Sequence, residues 1–321
     1  MHFSSEEASR NWLLNPATTI SRRSLIQAAG IGLFAGVSAS ASPQPSQMNT
    51  EMTRKTHLRY FLQQPGDPAS SVPYGDNPSY ARRADAGDVE IYYEVYGEGE
   101  PFLVLHGGGV GSAYEMGCFI DRLREKYRVI IPSTRGHGRS GFGTEPLALE
   151  QKARDMLAVL KTENVTRTKI LGFSDGAYTA LKMAVMAPEI PERIVAIGAG
   201  ENIPGLRRVV TDLNEFRSLD AAYIAQQEHL MPEPARWSEW LRAYGDFWTQ
   251  EKISKNVFMQ IKAPVLLMAG ELDGNAPLDT VLAAYREVPD AGLAIIPGAG
   301  HPCFLTHFDA VWSSMRRFIG M

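Results

Sequence analysis

From residue 89 onward, short runs that are apolar throughout alternate with stretches whose apolar residues recur at helical spacing. The continuous runs are 102–105 (Phe-Leu-Val-Leu), 128–132 (Arg-Val-Ile-Ile-Pro), 169–171 (Lys-Ile-Leu), 193–198, 263–270 and 292–296. Strands apolar on both faces lie inside parallel sheets, so these six runs predict buried central strands. Residues 89–96, rich in β-branched and aromatic side chains, predict a seventh strand, closed by the turn 97–101. Helices are predicted near 114–125, 150–163, 177–184, 280–287 and 308–318. In the second, Ala153, Met156, Leu157 and Leu160 form one stripe. Strands alternating with helices require right-handed crossovers and a mostly parallel sheet flanked by helices, an α/β fold.

Two stretches break this rhythm. Residues 201–258 hold Trp237, Trp240 and Trp248 in a helical, charge-rich pattern with no strand-like run. They predict an inserted helical cap, with the tryptophans as candidate lining of a substrate pocket. Ordinary sheet-covering helices with core tryptophans are the alternative. Residues 42–88 are mostly polar and punctuated by Pro43, Pro45, Pro65, Pro68, Pro73 and Pro78. They predict a linker and an extended N-terminal arm, with a short apolar piece near 58–62. The α/β domain is therefore expected over 89–321.

The N-terminus has the layout of an export signal. Arg22-Arg23 precede a short apolar run over 28–37, and Ala39-Ser40-Ala41 offers a small-residue cleavage site. The paired arginines resemble a bacterial twin-arginine signal. The apolar run falls short of the about 20 residues that a membrane-spanning helix needs. Cleavage after Ala41 is predicted, giving a periplasmic or secreted protein with no stable membrane anchor; an uncleaved signal anchor is the alternative.

Composition narrows the classes. A formal net charge of −4, with no basic stripe, gives no reason to expect a nucleic-acid partner. Two cysteines, Cys118 and Cys303, exclude a disulfide-dense scaffold and a cysteine-cluster zinc site. Buried free thiols are the default for the pair, and a disulfide formed after export is the alternative. No histidine spacing suggests a metal site, and no cofactor motif is present. The glycine-rich stretch 106–112 lacks the Lys-Ser/Thr that closes a phosphate loop.

The chemistry concentrates at strand ends. Gly172-Phe173-Ser174-Asp175-Gly176 lies between an apolar run and a helical one, the setting of a nucleophile elbow. Asp273 follows the strand 263–270, and His301 follows 292–296. In an open α/β sheet such positions gather at one edge. Nucleophilic catalysis at serine needs a base and an acid to orient that base, so Ser174, His301 and Asp273 are the candidate triad. The oxyanion would be met by the backbone N–H of Asp175 and one from the glycine-rich loop, expected at Gly108. His106 is expected to bond loop backbone, His137 to lie in a turn, His229 to be a candidate substrate contact in the cap, and His307 to cap the last helix.

With these motifs in place, residues from about 89 to 318 resemble the serine hydrolases of the α/β-hydrolase fold. The Gly-Phe-Ser-Asp-Gly elbow, the Gly-Glu-Leu-Asp loop at 270–273 and the Gly-Ala-Gly-His loop at 298–301 are most similar to the biphenyl-hydrolase-like, valacyclovirase-like branch. The resemblance implies a cofactor-free enzyme that cleaves small or medium carboxylic esters through an acyl-enzyme, under a helical cap. The partner implied is a small ester-like molecule, with no oligomeric state implied. Where the superfamily often has Asp after the strand 128–132, this chain has Ser133. The same triad serves C–C, lactone and amide hydrolysis or perhydrolysis, and a non-catalytic ligand-binding member of the fold is a third reading.

Overall fold

The computed structural model describes residues 58–321 apart from 65, 67 and 208. The expected signal and the first part of the arm lie outside the described residues. Eight strands form one sheet: β1 (Ala81–Asp85), β2 (Glu90–Tyr96), β3 (Glu100–Leu105), β4 (Tyr127–Pro132), β5 (Thr168–Phe173), β6 (Pro191–Ile197), β7 (Val265–Gly270) and β8 (Ala291–Ile296). Their spatial order is β1-β2-β4-β3-β5-β6-β7-β8. β1 and β2 are antiparallel to their neighbours, and every pairing from β4 to β8 is parallel. β3 and β5 sit at the centre, and β5 is buried at every position.

Helices cover both faces. They are α1 (Gly117–Leu123), α2 (Leu149–Thr162), α3 (Asp175–Met186), α4 (Leu213–Leu219), α5 (Ala221–Leu230), α6 (Trp237–Gln250), α7 (Lys255–Phe258), α8 (Leu278–Glu287), α9 (Cys303–Thr306) and α10 (Phe308–Phe318). The sheet separates two hydrophobic clusters. One packs α2, α3 and the 213–258 segment against the face holding Leu103, Leu105 and Ile170. The other packs α1 and α10 against Phe102, Val104 and Leu171. The alternation of inward faces along each strand makes that division. Among the described residues no helix is long and apolar enough to cross a membrane.

Three findings refine the sequence reading. Strand β1 lies inside the segment expected to be an extended arm. Its exposure is nearly complete apart from Ala84, and Arg82 and Arg83 occupy an edge, so no apolar pattern marks it. The segment 201–258 carries helices α4 to α7, and one isolated antiparallel bridge, Asn202 to Ile253, ties its two ends together. The arm near residue 60 is strapped to this helical segment. Asp220, at the start of α5, accepts hydrogen bonds from the Leu62 N–H (2.8 Å), the Arg59 guanidinium (2.8 Å) and the Tyr223 N–H (3.1 Å). Arg59 backbone and the Gln226 amide exchange two further bonds, and Phe61 meets Phe216 and Tyr223 edge-on.

Candidate active site

The turn from β5 into α3 is where the backbone is forced. Ser174 has φ 50° and ψ −117°, a conformation that a side-chain-bearing residue adopts only when its surroundings impose it. The imposition comes from both glycines of the elbow. A Cβ at Gly172 would collide with Gly176 and Ala177 backbone, and one at Gly176 with the carbonyls of Leu105 and His106. The Ser174 N–H donates to Ile197 (2.8 Å), and its carbonyl accepts from Ala177 and Tyr178, so the turn is anchored on both sides. The hydroxyl is thereby held beyond the sheet edge.

The other two candidates arrive from neighbouring loops. His301 follows β8, with Nε2 2.8 Å from Ser174 Oγ and Nδ1 2.8 and 2.9 Å from the Asp273 oxygens. Asp273 is buried, and its Oδ1 also accepts from the Asn275 and Ala276 N–H groups at 2.8 Å each. An ionised carboxylate only accepts, so the His301 proton must sit on Nδ1. That leaves the Nε2 lone pair for the Ser174 hydroxyl. The imidazole packs against the Phe173 ring, centroids 4.9 Å apart, which limits its rotation. The geometry suits transfer of the hydroxyl proton to the ring as Oγ attacks an electrophile.

Asp175 stands at the first position of α3, where helix N–H groups lack partners within the helix. Its carboxylate is turned away and held by Lys152 of α2, with Nζ 2.6 and 2.8 Å from the two oxygens. The pair is buried at 7% and 3% side-chain exposure. A small cleft beside it is lined by Thr134, Arg135, Lys152, Asp155, Asp175 and Thr179. In the glycine-rich loop the Gly107 N–H is already used, donating to Glu115 Oε1 at 2.7 Å. Burial pushes the Glu115 carboxyl up to about 8, against hydrogen bonds from the Gly107 and Ser112 N–H groups. Gly108 lies beside Asp175: a Cβ built on it would come 2.9 Å from the Asp175 Cβ.

His106 is fully buried; Nε2 accepts from the Thr134 N–H at 3.0 Å, and Nδ1 faces the Gly107 carbonyl at 2.6 Å. Burial lowers it to about 4, so it is a neutral loop support. His137 lies in its turn, bonded to Arg135 and Thr134. His229 is exposed on α5, away from the candidate contact role. His307 is the N-cap residue of α10, its carbonyl accepting from the Val311 N–H at 3.2 Å, while its ring bonds the Thr306 hydroxyl and makes no side-chain cap. Cys118 and Cys303 are free thiols, each pushed up to about 12 by burial.

The three tryptophans are placed as packing. Trp237 is buried in the 201–258 segment, Trp240 stacks on Tyr244 and meets His137 and Phe142, and Trp248 meets Tyr178 and Phe247. They seat α6 on the core above the elbow. Among the described residues no cluster of three or more histidine, cysteine, aspartate or glutamate side chains is arranged to hold a metal ion. Lys152 and Glu115 were missed by the sequence reading. Their signal was a charge beside an apolar stripe: Lys152 precedes Ala153, and Glu115 stands between Tyr114 and Met116.

Residues 102–313 match the family described as "Alpha/beta hydrolase family". A putative carbamate hydrolase, RutD, of Azorhizobium caulinodans is 28% identical over 68% of this chain and 90% of its own length. The human serine hydrolase BPHL is 24% identical over 74% of this chain and 86% of its own. The crystal structure of a serine hydrolase involved in carbazole degradation, CarC, superposes with a TM-score of 0.64 at 22% identity. It covers 75% of this chain and 98% of its own.

Proposed function

We propose, on the premise that the chain belongs to the alpha/beta hydrolase family, that it cleaves small or medium carboxylic esters through an acyl-enzyme. Ser174 Oγ attacks the ester carbonyl carbon while His301 Nε2 takes its proton, and Asp273 steadies the imidazolium that forms. The carbonyl electron pair moves to oxygen, where the N–H groups of Gly108 and Asp175 receive it. Collapse expels the alkoxide, which leaves with the proton from His301. Water, deprotonated by the same ring, then releases the acid.

The observation that carries this reading is the double engagement of His301, with Ser174 Oγ on one nitrogen and Asp273 on the other. The strained backbone at Ser174 supports it further. Export through a twin-arginine-type signal belongs to the same proposal, motivated by Arg22-Arg23 and Ala39-Ser40-Ala41. The mass of the chain recovered outside the cytoplasm tests it: a chain starting at Met1 would sink the cleavage.

A second reading keeps the triad and changes the bond to an amide-like C–N bond, favoured by the putative carbamate hydrolase among the relatives. A panel of p-nitrophenyl esters, carbamates, anilides, β-diketones and lactones separates the two. The ester reading expects the highest kcat/KM on an ester and its loss in Ser174→Ala; a carbamate turned over faster would overturn it.

A further inference from the structure

Helix α6 brings one more polar group to the site. Tyr244 is buried, with its ring stacked on Trp240 at a centroid distance of 5.0 Å and an angle of 22°. Its hydroxyl presses on Gly108. A Cβ built on that glycine would overlap the Tyr244 oxygen and lie 2.9 Å from the Asp175 Cβ. The two backbone positions assigned to the oxyanion and the tyrosine oxygen therefore converge on one small volume. Glycine at 108 is what leaves room for the hydroxyl.

The hydroxyl is also free to donate. Among the described residues nothing accepts its hydrogen. The indole N–H of Trp248 faces it as a donor, short of full hydrogen-bond geometry. Burial raises the phenol well above its ordinary value, so it stays protonated while Ser174 and His301 work. Lys152 Nζ lies 4.8 Å from the ring centroid, on the ring and not at the oxygen.

We propose that Tyr244 is a third oxyanion donor, a catalytic residue supplied by the helical segment that covers the site. The inference rests on the ester-hydrolase reading above. As Oγ of Ser174 adds to the carbonyl carbon, the oxygen gains the π electron pair. The Tyr244 O–H then hydrogen-bonds that oxygen from the roof while the Gly108 and Asp175 N–H groups do so from the floor. The tyrosine keeps its proton throughout; charge is stabilised, not neutralised.

Tyr244→Phe keeps the stacked ring and deletes the hydroxyl. The measurement is kcat and KM on a p-nitrophenyl ester, with kcat counted per serine titratable to completion by a fluorophosphonate, so that misfolded protein is not scored. Loss of an oxyanion donor lowers kcat, here by about 10- to 100-fold, with KM unchanged within about twofold. Wild-type kcat in Y244F, or a change confined to KM, overturns the proposal. Ser174→Ala run alongside keeps the two levels apart. An active S174A takes down the whole reading of the site. A dead S174A with an unaffected Y244F takes down only the third donor.

Discussion

Replacing Lys152 by Met leaves the Asp175 carboxylate buried without its cation. The two side chains are 7% and 3% exposed, and Nζ approaches both oxygens at 2.6 and 2.8 Å. Removing one partner of such a pair costs about 3–5 kcal/mol, because the remaining charge keeps its desolvation penalty and loses its compensation. Two features place K152M near the lower end. Asp175 sits in the first turn of α3, where the helix dipole favours a negative charge. The small cleft beside the pair is polar, with Thr134, Arg135 and Thr179 in its lining, so the stranded carboxylate keeps polar neighbours. Asp175→Asn should cost a similar amount, since it strands an ammonium among the rings of Tyr244, Phe247 and Trp248. In K152M/D175N no charge remains, and only a buried amide with incomplete partners is left, worth about 1–3 kcal/mol. The singles therefore sum to about 6 kcal/mol or more, against about 2 for the double, a coupling of about 4. Urea unfolding followed by tryptophan fluorescence measures it, with each single expected to lower the unfolding free energy by about 3 kcal/mol. Additive losses, with the double as damaged as the sum of the singles, would refute the reasoning.

Two further predictions concern the loop and the strap. Glu115 titrates near 8 in the folded protein against an ordinary 4.5, so the folded state holds its proton more tightly. Its contribution is complete below about pH 4.5 and is lost as pH rises through 8, at up to about 1.4 kcal/mol per pH unit. Tm measured from pH 5 to 8 should show Glu115→Gln gaining on wild type as pH rises, and parallel curves would contradict this. Asp220→Ala removes the cap of α5 and the anchor for Leu62 and Arg59 together. It should cost about 1–2 kcal/mol and expose the chain near residue 62 to limited proteolysis; an unchanged cleavage rate counts against the strap.

Much of the sheet was legible because parallel strands buried on both faces must be apolar at every position. The runs at 102–105 and 263–270 could belong to little else. Strand β1 was illegible for the opposite reason: at an edge, Arg82 and Arg83 need no apolar partner. Ser174, Asp273 and His301 could be picked out because strand ends converge on one rim, whatever their separation along the chain. The groups that surround them could not. Lys152 and Asp175 are 23 residues apart on helices whose facing sides depend on packing, and the charge of Lys152 resembles an ordinary solvated position. Trp237, Trp240 and Trp248 carried a helical pattern but no sign of their direction, and they point into packing. Tyr244, four residues from two of them, is the group that reaches the glycine loop.

The central claim is that the Ser174 hydroxyl is activated by His301. It is tested most directly by intact-protein and peptide mass spectrometry after brief exposure to a fluorophosphonate. A single adduct is predicted on the peptide holding Ser174, absent in Ser174→Ala and formed at least about 1,000-fold more slowly in His301→Ala. An adduct elsewhere, or equal labelling rates with and without the imidazole, would contradict the account.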